Sequence, residues 1–353
     1  YRWRPRDAQG SDISALSAAD QDAVNSGELR FSRGSRYSQF NSEQTRVGAT
    51  VALQYRPSAN LSFGLDALYG TLDSDRGEFH LQSRGSSSTA LGCTGADYEG
   101  ARYYCSSLTD IEFNANNEVI YSAWENTALH SESRDQSATT DISQMVFNAD
   151  WTVTEALSVS GLLGYMKSEY ESNSAKVYLE SFADMTIDYR EDRFYGTNSY
   201  VNGFDPTDID EYRFHEIDLA EDKVDNSFAI AKLDSDYLLS DTSTLKFGVS
   251  IKDFEHSNNS EQIGNALRSE WQSGEISDVI NPDLVYVNNV HEKQSWLSTD
   301  VTGVLTTFNV DRNLSYSDQP DEVTEQTTAL YITYEKDFLL ENSEVRTSFG
   351  LRY

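Results

Sequence analysis

Basic residues are scarce in this 353-residue chain: 27 Lys and Arg face 58 Asp and Glu, for a formal net charge of −31. A nucleic-acid partner is excluded on that ground, because binding phosphate requires neutralising Lys and Arg. Long apolar runs are also missing. No stretch reaches the roughly 18 residues of a transmembrane helix, which leaves open a membrane barrel whose strands are apolar on one face only. The five histidines (His80, His130, His215, His256 and His291) show no HExxH or other metal spacing, and neither a glycine-rich phosphate loop nor GxSxG occurs. With no assembled catalytic set, the chain reads as a non-enzyme without metal or cofactor. No leader segment is visible at Tyr1, and the chain stops at Leu351-Arg352-Tyr353 inside a strand-like pattern, so it reads as an internal piece of a longer protein.

Aromatics are abundant. Twenty-one Tyr and 16 Phe are too many for a disordered acidic chain. The main local signal is period-two alternation in pairs. Thr45 to Arg56 and Leu61 to Leu72 flank Pro57-Ser58-Ala59-Asn60, a tight-turn sequence. Asp141 to Val153 and Leu157 to Tyr170 flank Thr154-Glu155-Ala156. Asn226 to Leu239 and Thr244 to Phe254 flank Ser240-Asp241-Thr242-Ser243. Thr327 to Phe338 and Val345 to Tyr353 are joined through Glu341-Asn342-Ser343. Four hairpins are thus predicted, with long segments 5–44, 81–140, 171–225 and 255–326 read as loops.

Short turns on one side and long loops on the other are the pattern of an outer-membrane barrel, and loops this long are uncommon in compact soluble domains. Parity then puts the tight turns at the periplasmic end and the long segments outside the cell. Each strand entering a tight turn carries an aromatic near its end (Tyr55, Trp151, Tyr237, Phe338), as expected of a girdle at a membrane–water boundary. The faces holding Val47, Val51, Leu53, Phe147, Trp151, Leu233, Tyr237, Phe247, Val249 and Ile251 are expected to meet lipid. The opposite faces, with Asp66, Asp150, Asp234 and Lys246, are expected to line a lumen.

Several stretches resemble TonB-dependent outer-membrane receptors. They are Ala52 to Ser58 with Leu65 to Tyr69, then Gly203 to Asp208 followed by Ala231 to Asp234 and Leu245 to Gly248, and finally Thr328 to Tyr331 through Phe349 to Tyr353. The nearest branch is the large proteobacterial receptors linked to oligosaccharide uptake. The resemblance implies an all-β antiparallel transmembrane barrel of about 22 strands with an N-terminal plug, in the outer membrane of a Gram-negative bacterium. Energy would come from the TonB–ExbB–ExbD complex, and lipopolysaccharide and outer-membrane lipid would be further partners. Residues 1–353 then form a partial barrel of eight strands, with Tyr1 to Arg4 as the end of a ninth; plug, TonB box and final barrel strand are missing from that plan.

The function so implied is active import of a scarce solute, such as an oligosaccharide or a siderophore. A passive porin-like barrel and a soluble all-β carbohydrate-binding or adhesion module are the alternatives. Ligand-binding candidates are the loop aromatics Trp124, Tyr195, Trp271 and Trp296, whose faces suit sugar rings; the rival reading is that such rings pack the loops down. Cys93 and Cys105, in a polar Gly- and Tyr-rich segment, read as a loop-closing disulfide of an oxidising compartment, the alternative being two free thiols. The run Asp205-Pro206-Thr207-Asp208-Ile209-Asp210-Glu211 is dense in carboxylates but lacks the Gly and terminal Glu of a calcium loop, and reads as solvated surface.

Overall fold

The computed structural model describes residues 12–32, 35–83, 106–194, 196–267, 270, 277, 279–289, 294–314, 320–340 and 343–353. Within them the chain is all-β. In order come α1 (Ala18–Asn25), β1 (Arg36–Ser58), β2 (Leu61–Ser83), β3 (Ser107–Phe113), β4 (Val119–Thr152), β5 (Leu157–Asp188), β6 (Thr197–Val201), β7 (Arg213–Ser240) and β8 (Ser243–Ala266). Then follow β9 (Val285–Asn288), β10 (Trp296–Thr299), α2 (Val301–Thr307), β11 (Asp321–Leu340) and β12 (Ser343–Arg352).

One antiparallel sheet of ten strands runs β1-β2-β4-β5-β7-β8-β11-β12, with β3 added to β4 and β6 to β5; β9 and β10 pair separately. Among the described residues the sheet does not close: β1 and β12 are its two edges. The four hairpins fall where alternation places them. The three described turns share one end of the sheet with the close of β11, because each bonds to its neighbour: Thr152 N–H to Asn60 O at 2.8 Å, Leu238 N–H to Ala156 O at 2.7 Å, and Asp337 N–H to Thr242 O at 2.8 Å; Glu341 and Asn342 of the fourth turn lie outside the described residues.

The strands are far longer than the alternation indicates: β1 takes in 36–44, and the later strands take in much of 81–140, 171–225 and 255–326, which corrects the reading of 5–44, 81–140, 171–225 and 255–326 as loops throughout. β4 has 34 residues and β5 has 32, so β4 is about 110 Å long. Away from the turns, in β2, β4, β5 and β7, both sheet faces are covered and polar residues are buried. Leu129, His130, Ser131, Glu132 and Ser133 are consecutive and all interior, so no apolar/polar alternation marks the strand.

Two packs cover the upper part of one face. Leu16, Val24, Leu29 and Phe31, from α1 and its flanks, close over Trp124, Leu129, Met185 and Ile187. Ser17 starts α1 by accepting from Asp20 N–H, an ordinary helix cap. Beside it, Ile280, Leu284, Leu297, Val301, Val304 and Leu305 close over Ala175, Val177, Leu179, Phe214, Ile217 and Leu219. That second pack is fixed by polar contacts as well: Ser131 donates to Leu297 O, and Thr299 N–H donates to Ser133 Oγ at 2.9 Å.

Nearer the turns the same face is uncovered and apolar. Val47, Leu53, Tyr55, Phe147, Trp151, Leu163, Leu233, Tyr237, Phe247, Ile251, Leu330 and Phe349 are all exposed, Leu53 at 58% and Leu163 at 58%. The register places them on one face: the row from Leu53 runs through Leu65, Phe147, Leu163, Ala231 and Ile251. Asp66, Asp150, Asp234 and Lys246 occupy rows of the other face. Among the described residues no second sheet packs over the apolar belt.

The belt is slanted. Its uppermost apolar residue moves from Val47 in β1 and Tyr69 in β2 through Met145, Tyr165 and Ala229 to Ile251 in β8 and Leu330 in β11. The row that starts at Val47 is polar further along, through Asp141, Glu169, Asp225 and Ser257. Leu330 instead lies in the row of Tyr55, with Phe63, Ala149, Gly161, Leu233 and Val249. The edge therefore drops eight residues of register across six strand-to-strand steps. At about 3.4 Å per residue and about 4.8 Å per strand, the slant is about 40–45° from the hydrogen-bonded rows.

Candidate functional site

The upper half of the face opposite the belt carries the only dense ionisable cluster found among the described residues that is also interior. Three successive cross-strand rows build it. The first joins Arg36, Gln82, His130, Glu180 and Arg213; the second joins Ser38, His80, Glu132, Tyr178 and Glu216. The third joins Phe40, Glu78, Arg134, Lys176 and Asp218. Residues two apart on a strand share a face, so these side chains form one continuous polar surface. Glu78, His80, His130, Glu132, Tyr178, Glu180 and His215 are all buried.

Buried charge must be paired to be tolerated, and the rows supply the pairs. Arg76 Nη2 lies 2.6 Å from Glu78 Oε1, with Arg134 Nη1 at 3.5 Å from the same oxygen. Arg36 Nη2 reaches Glu132 Oε2 at 3.3 Å. His80 sits between Ser38 Oγ at 2.9 Å on Nδ1 and Glu78 Oε2 at 3.3 Å on Nε2, which suits a neutral ring that accepts from the hydroxyl and donates to the carboxylate. Burial holds the His80 imidazolium form down, against the opposing pull of Glu132 and Glu78. Burial acts to raise Glu78, but the His80 hydrogen bond and the Arg134 and Arg76 guanidiniums outweigh it, and its carboxyl lies below the usual range. Burial, with Glu132, Asp218 and Glu216 nearby, pushes the Tyr178 phenol up, so it stays protonated.

At one end of this surface two imidazoles converge on one carboxylate. His130 Nε2 is 3.5 Å from Glu180 Oε1, and His215 Nδ1 is 3.5 Å from Glu180 Oε2. The two rings are 4.8 Å apart. His130 and Glu180 are direct partners across β4 and β5. His215 arrives by a different route. The β5–β7 register shifts between Tyr178 and Leu179, which face Glu216 and Phe214, leaving His215 as the extra residue of a bulge. A bulge re-aims a side chain in this way. Arg213 holds Glu180 Oε2 from the other side at 3.1 Å.

Comparison with protein-family models, with curated proteins and with solved structures returns no match. The site is a polar, charge-balanced surface with hydrogen-bond donors and acceptors, ending in two imidazoles that meet one carboxylate.

The aromatic ligand candidates stand elsewhere. Trp124 and Trp296, read from the sequence as loop rings available to a sugar, are interior and correct that expectation. Trp124 lies in β4, donates Nε1–H to Ser122 Oγ at 2.9 Å, and meets Phe31 edge-on at 6.3 Å. Trp296 opens β10 and is fully buried. The Trp124 ring packs a covering segment onto the sheet, and Trp296 lies in the strand whose Leu297 does so. Tyr195, Trp271, Cys93 and Cys105 lie outside the described residues.

The acidic run 205–211 folds as a self-capped turn. Asp205 accepts from Thr207 N–H and Oγ1 at 2.8 Å each, and Asp208 accepts from Asp210 N–H at 3.0 Å. These carboxylates serve the local backbone, and the bonds to Thr207 lower the Asp205 carboxyl below its ordinary value.

Proposed function

We propose that this chain is part of the wall of an outer-membrane barrel and that the barrel serves as an active-transport receptor for a scarce solute. The slanted apolar belt carries the reading. A membrane strand needs about 9–11 residues to cross the hydrocarbon core and tilts by about 45°. The belt in β1, from Val47 to Tyr55, spans nine residues, and its edge crosses the rows at an angle that strand tilt in a barrel predicts. A slab of lipid cuts tilted strands at a different row in each, whereas a soluble sheet has no reason to shift its apolar limit steadily in one direction.

Aromatic placement supports the same reading. Tyr55, Trp151, Tyr237 and Phe338 mark the turn end and are exposed, and Tyr69 and Tyr165 stand exposed at the opposite limit. Rings at both limits suit the two interfaces of a bilayer. In this arrangement the face bearing Asp66, Asp150, Asp234 and Lys246 lines the lumen, and the charged rows above it line the extracellular vestibule. A charge-balanced, hydrogen-bonding vestibule with embedded guanidiniums suits a polar solute, an oligosaccharide included. TonB-supplied energy and a plug belong to the same proposal through the resemblance of the hairpin motifs.

Two measurements test it. The chain, expressed with its full reading frame, is expected in the outer-membrane fraction and is expected to resist extraction by alkaline carbonate; release as a soluble protein would refute the barrel. Solute uptake that is abolished by deleting the energy-coupling complex supports active transport, and uptake that persists without it would point to a passive pore.

A further inference from the structure

We infer that His130, Glu180 and His215 form a binding site for one borderline divalent transition cation of the Zn²⁺ class. The inference stands on the local geometry and is independent of whether the sheet lies in a membrane. One ligand atom from each residue lies within 4.8 Å of the others. The two nearest nitrogen–oxygen separations are 3.5 Å. Ligands about 2.0–2.1 Å from a tetrahedral zinc lie about 3.4 Å apart, so the His130 Nε2–Glu180 Oε1 separation already matches an edge of such a polyhedron, while His215, whose 3.5 Å neighbour is the other carboxylate oxygen, has to draw in onto the same ion. Bringing the two imidazoles onto a common ion requires them to close by at most about 1.4 Å.

The donor chemistry selects the ion. Two imidazole nitrogens and one carboxylate suit Zn²⁺ and its neighbours, while Ca²⁺ and Mg²⁺ want oxygen ligands throughout. Three protein ligands leave one coordination position for a further donor. A second observation points the same way. The other ring nitrogen of His215, Nε2, faces Glu216 Oε2 at 3.6 Å. A carboxylate behind a ligating imidazole orients the ring and raises its basicity, as outer-shell partners of metal-bound histidines do. Arg213 supports Glu180 by taking Oε2 at 3.1 Å and leaving Oε1 toward His130.

The three ligands come from three adjacent strands. His130 belongs to β4, Glu180 to β5 and His215 to the β7 bulge. A bound ion would cross-link those strands in the upper part of the sheet, well above the apolar belt and on the face opposite the covering segments. It would also fix the bulge that aims His215.

The test uses the whole chain in detergent, stripped with a chelator and titrated with Co²⁺ and then Zn²⁺. The expected result is one Co²⁺ per chain with the visible bands of a tetrahedral nitrogen–oxygen site, displaced by Zn²⁺ and untouched by excess Ca²⁺. His130→Ala and His215→Ala are each expected to weaken binding about 100-fold, and Glu216→Gln about 10-fold. His256→Ala, outside the cluster, is expected to leave it unchanged. His215→Asn, similar in size and polar, serves if an alanine variant fails to fold, and is expected to lose the visible bands while retaining the far-ultraviolet dichroism of the sheet. Absence of stoichiometric binding to the unsubstituted chain would overturn the site, as would binding that survives in a folded His215→Asn or His130→Ala chain.

Discussion

His80 and Glu78 tie the stability of the upper sheet to pH. The folded His80 titrates below its ordinary 6.5 because burial disfavours the imidazolium. As pH falls through 6.5 the unfolded chain takes the proton first, so stability present above that pH is lost as pH drops toward the lowered folded value. Glu78 adds a loss of the same sign at lower pH: its contribution is present above 4.5 and disappears as pH falls through its depressed folded value. Denaturant midpoints measured from pH 8 downward are expected to decline in these two stages. His80→Gln, which keeps a donor and an acceptor, is expected to flatten the first stage and leave the second. Trp296 makes the other argument at this scale. Its ring, in β10, is fully buried, so Trp296→Ala is expected to cost about 3–5 kcal/mol. The readout is the denaturation midpoint, with amide exchange rising first in residues 280–305 if the covering pack is what the ring holds.

At the scale of the element, the hairpins show what alternation can reveal. It locates a strand where one face is apolar and the other polar, and that holds only near the turns. The matching turns at 59–60, 153–156 and 241–242 were legible for this reason. Above the belt, His130-Ser131-Glu132-Ser133-Arg134-Asp135 gives no period because the polar face is paired with itself and the other face is covered by distant segments. The histidine pair was illegible in the same way: His130, Glu180 and His215 show no local spacing. One signal was nevertheless present. Antiparallel partners are symmetric about their turn, and both Trp151 with Val159 and His130 with Glu180 are centred on Glu155. Extending the ladder from the turn would have paired His130 with Glu180. The bulge that brings His215 carries no such mark. Gly248 illustrates a register-dependent feature of another kind. A Cβ there would lie 2.5 Å from Tyr331 Cε1 and 2.7 Å from Leu233 O, because the tyrosine lies across the glycine to donate to Asp234 at 2.6 Å. Gly248→Ala is expected to destabilise by about 1–3 kcal/mol through overpacking, read from the same denaturation midpoint.

For the whole molecule, the decisive contrast is between two adjacent residues of β1. Val51 lies in the middle of the belt and is 53% exposed, and Ala52 faces the other way, opposite Asp66. On a water-soluble sheet both positions are solvated, and arginine at either one is expected to change stability by no more than about 0.5 kcal/mol. In a bilayer the two diverge. Val51→Arg places a guanidinium near the hydrocarbon midplane at a cost of about 2–4 kcal/mol, whereas Ala52→Arg turns its charge into the polar interior beside a carboxylate. The measurement is reversible unfolding of each variant in lipid vesicles and, as a reference, in a detergent-free buffer if the chain stays dispersed there. A large loss for Val51→Arg, with Ala52→Arg near neutral, requires that the two faces of one strand meet different solvents. Equal and small effects would mean that the slanted belt is an ordinary surface, and the membrane proposal would fall with it.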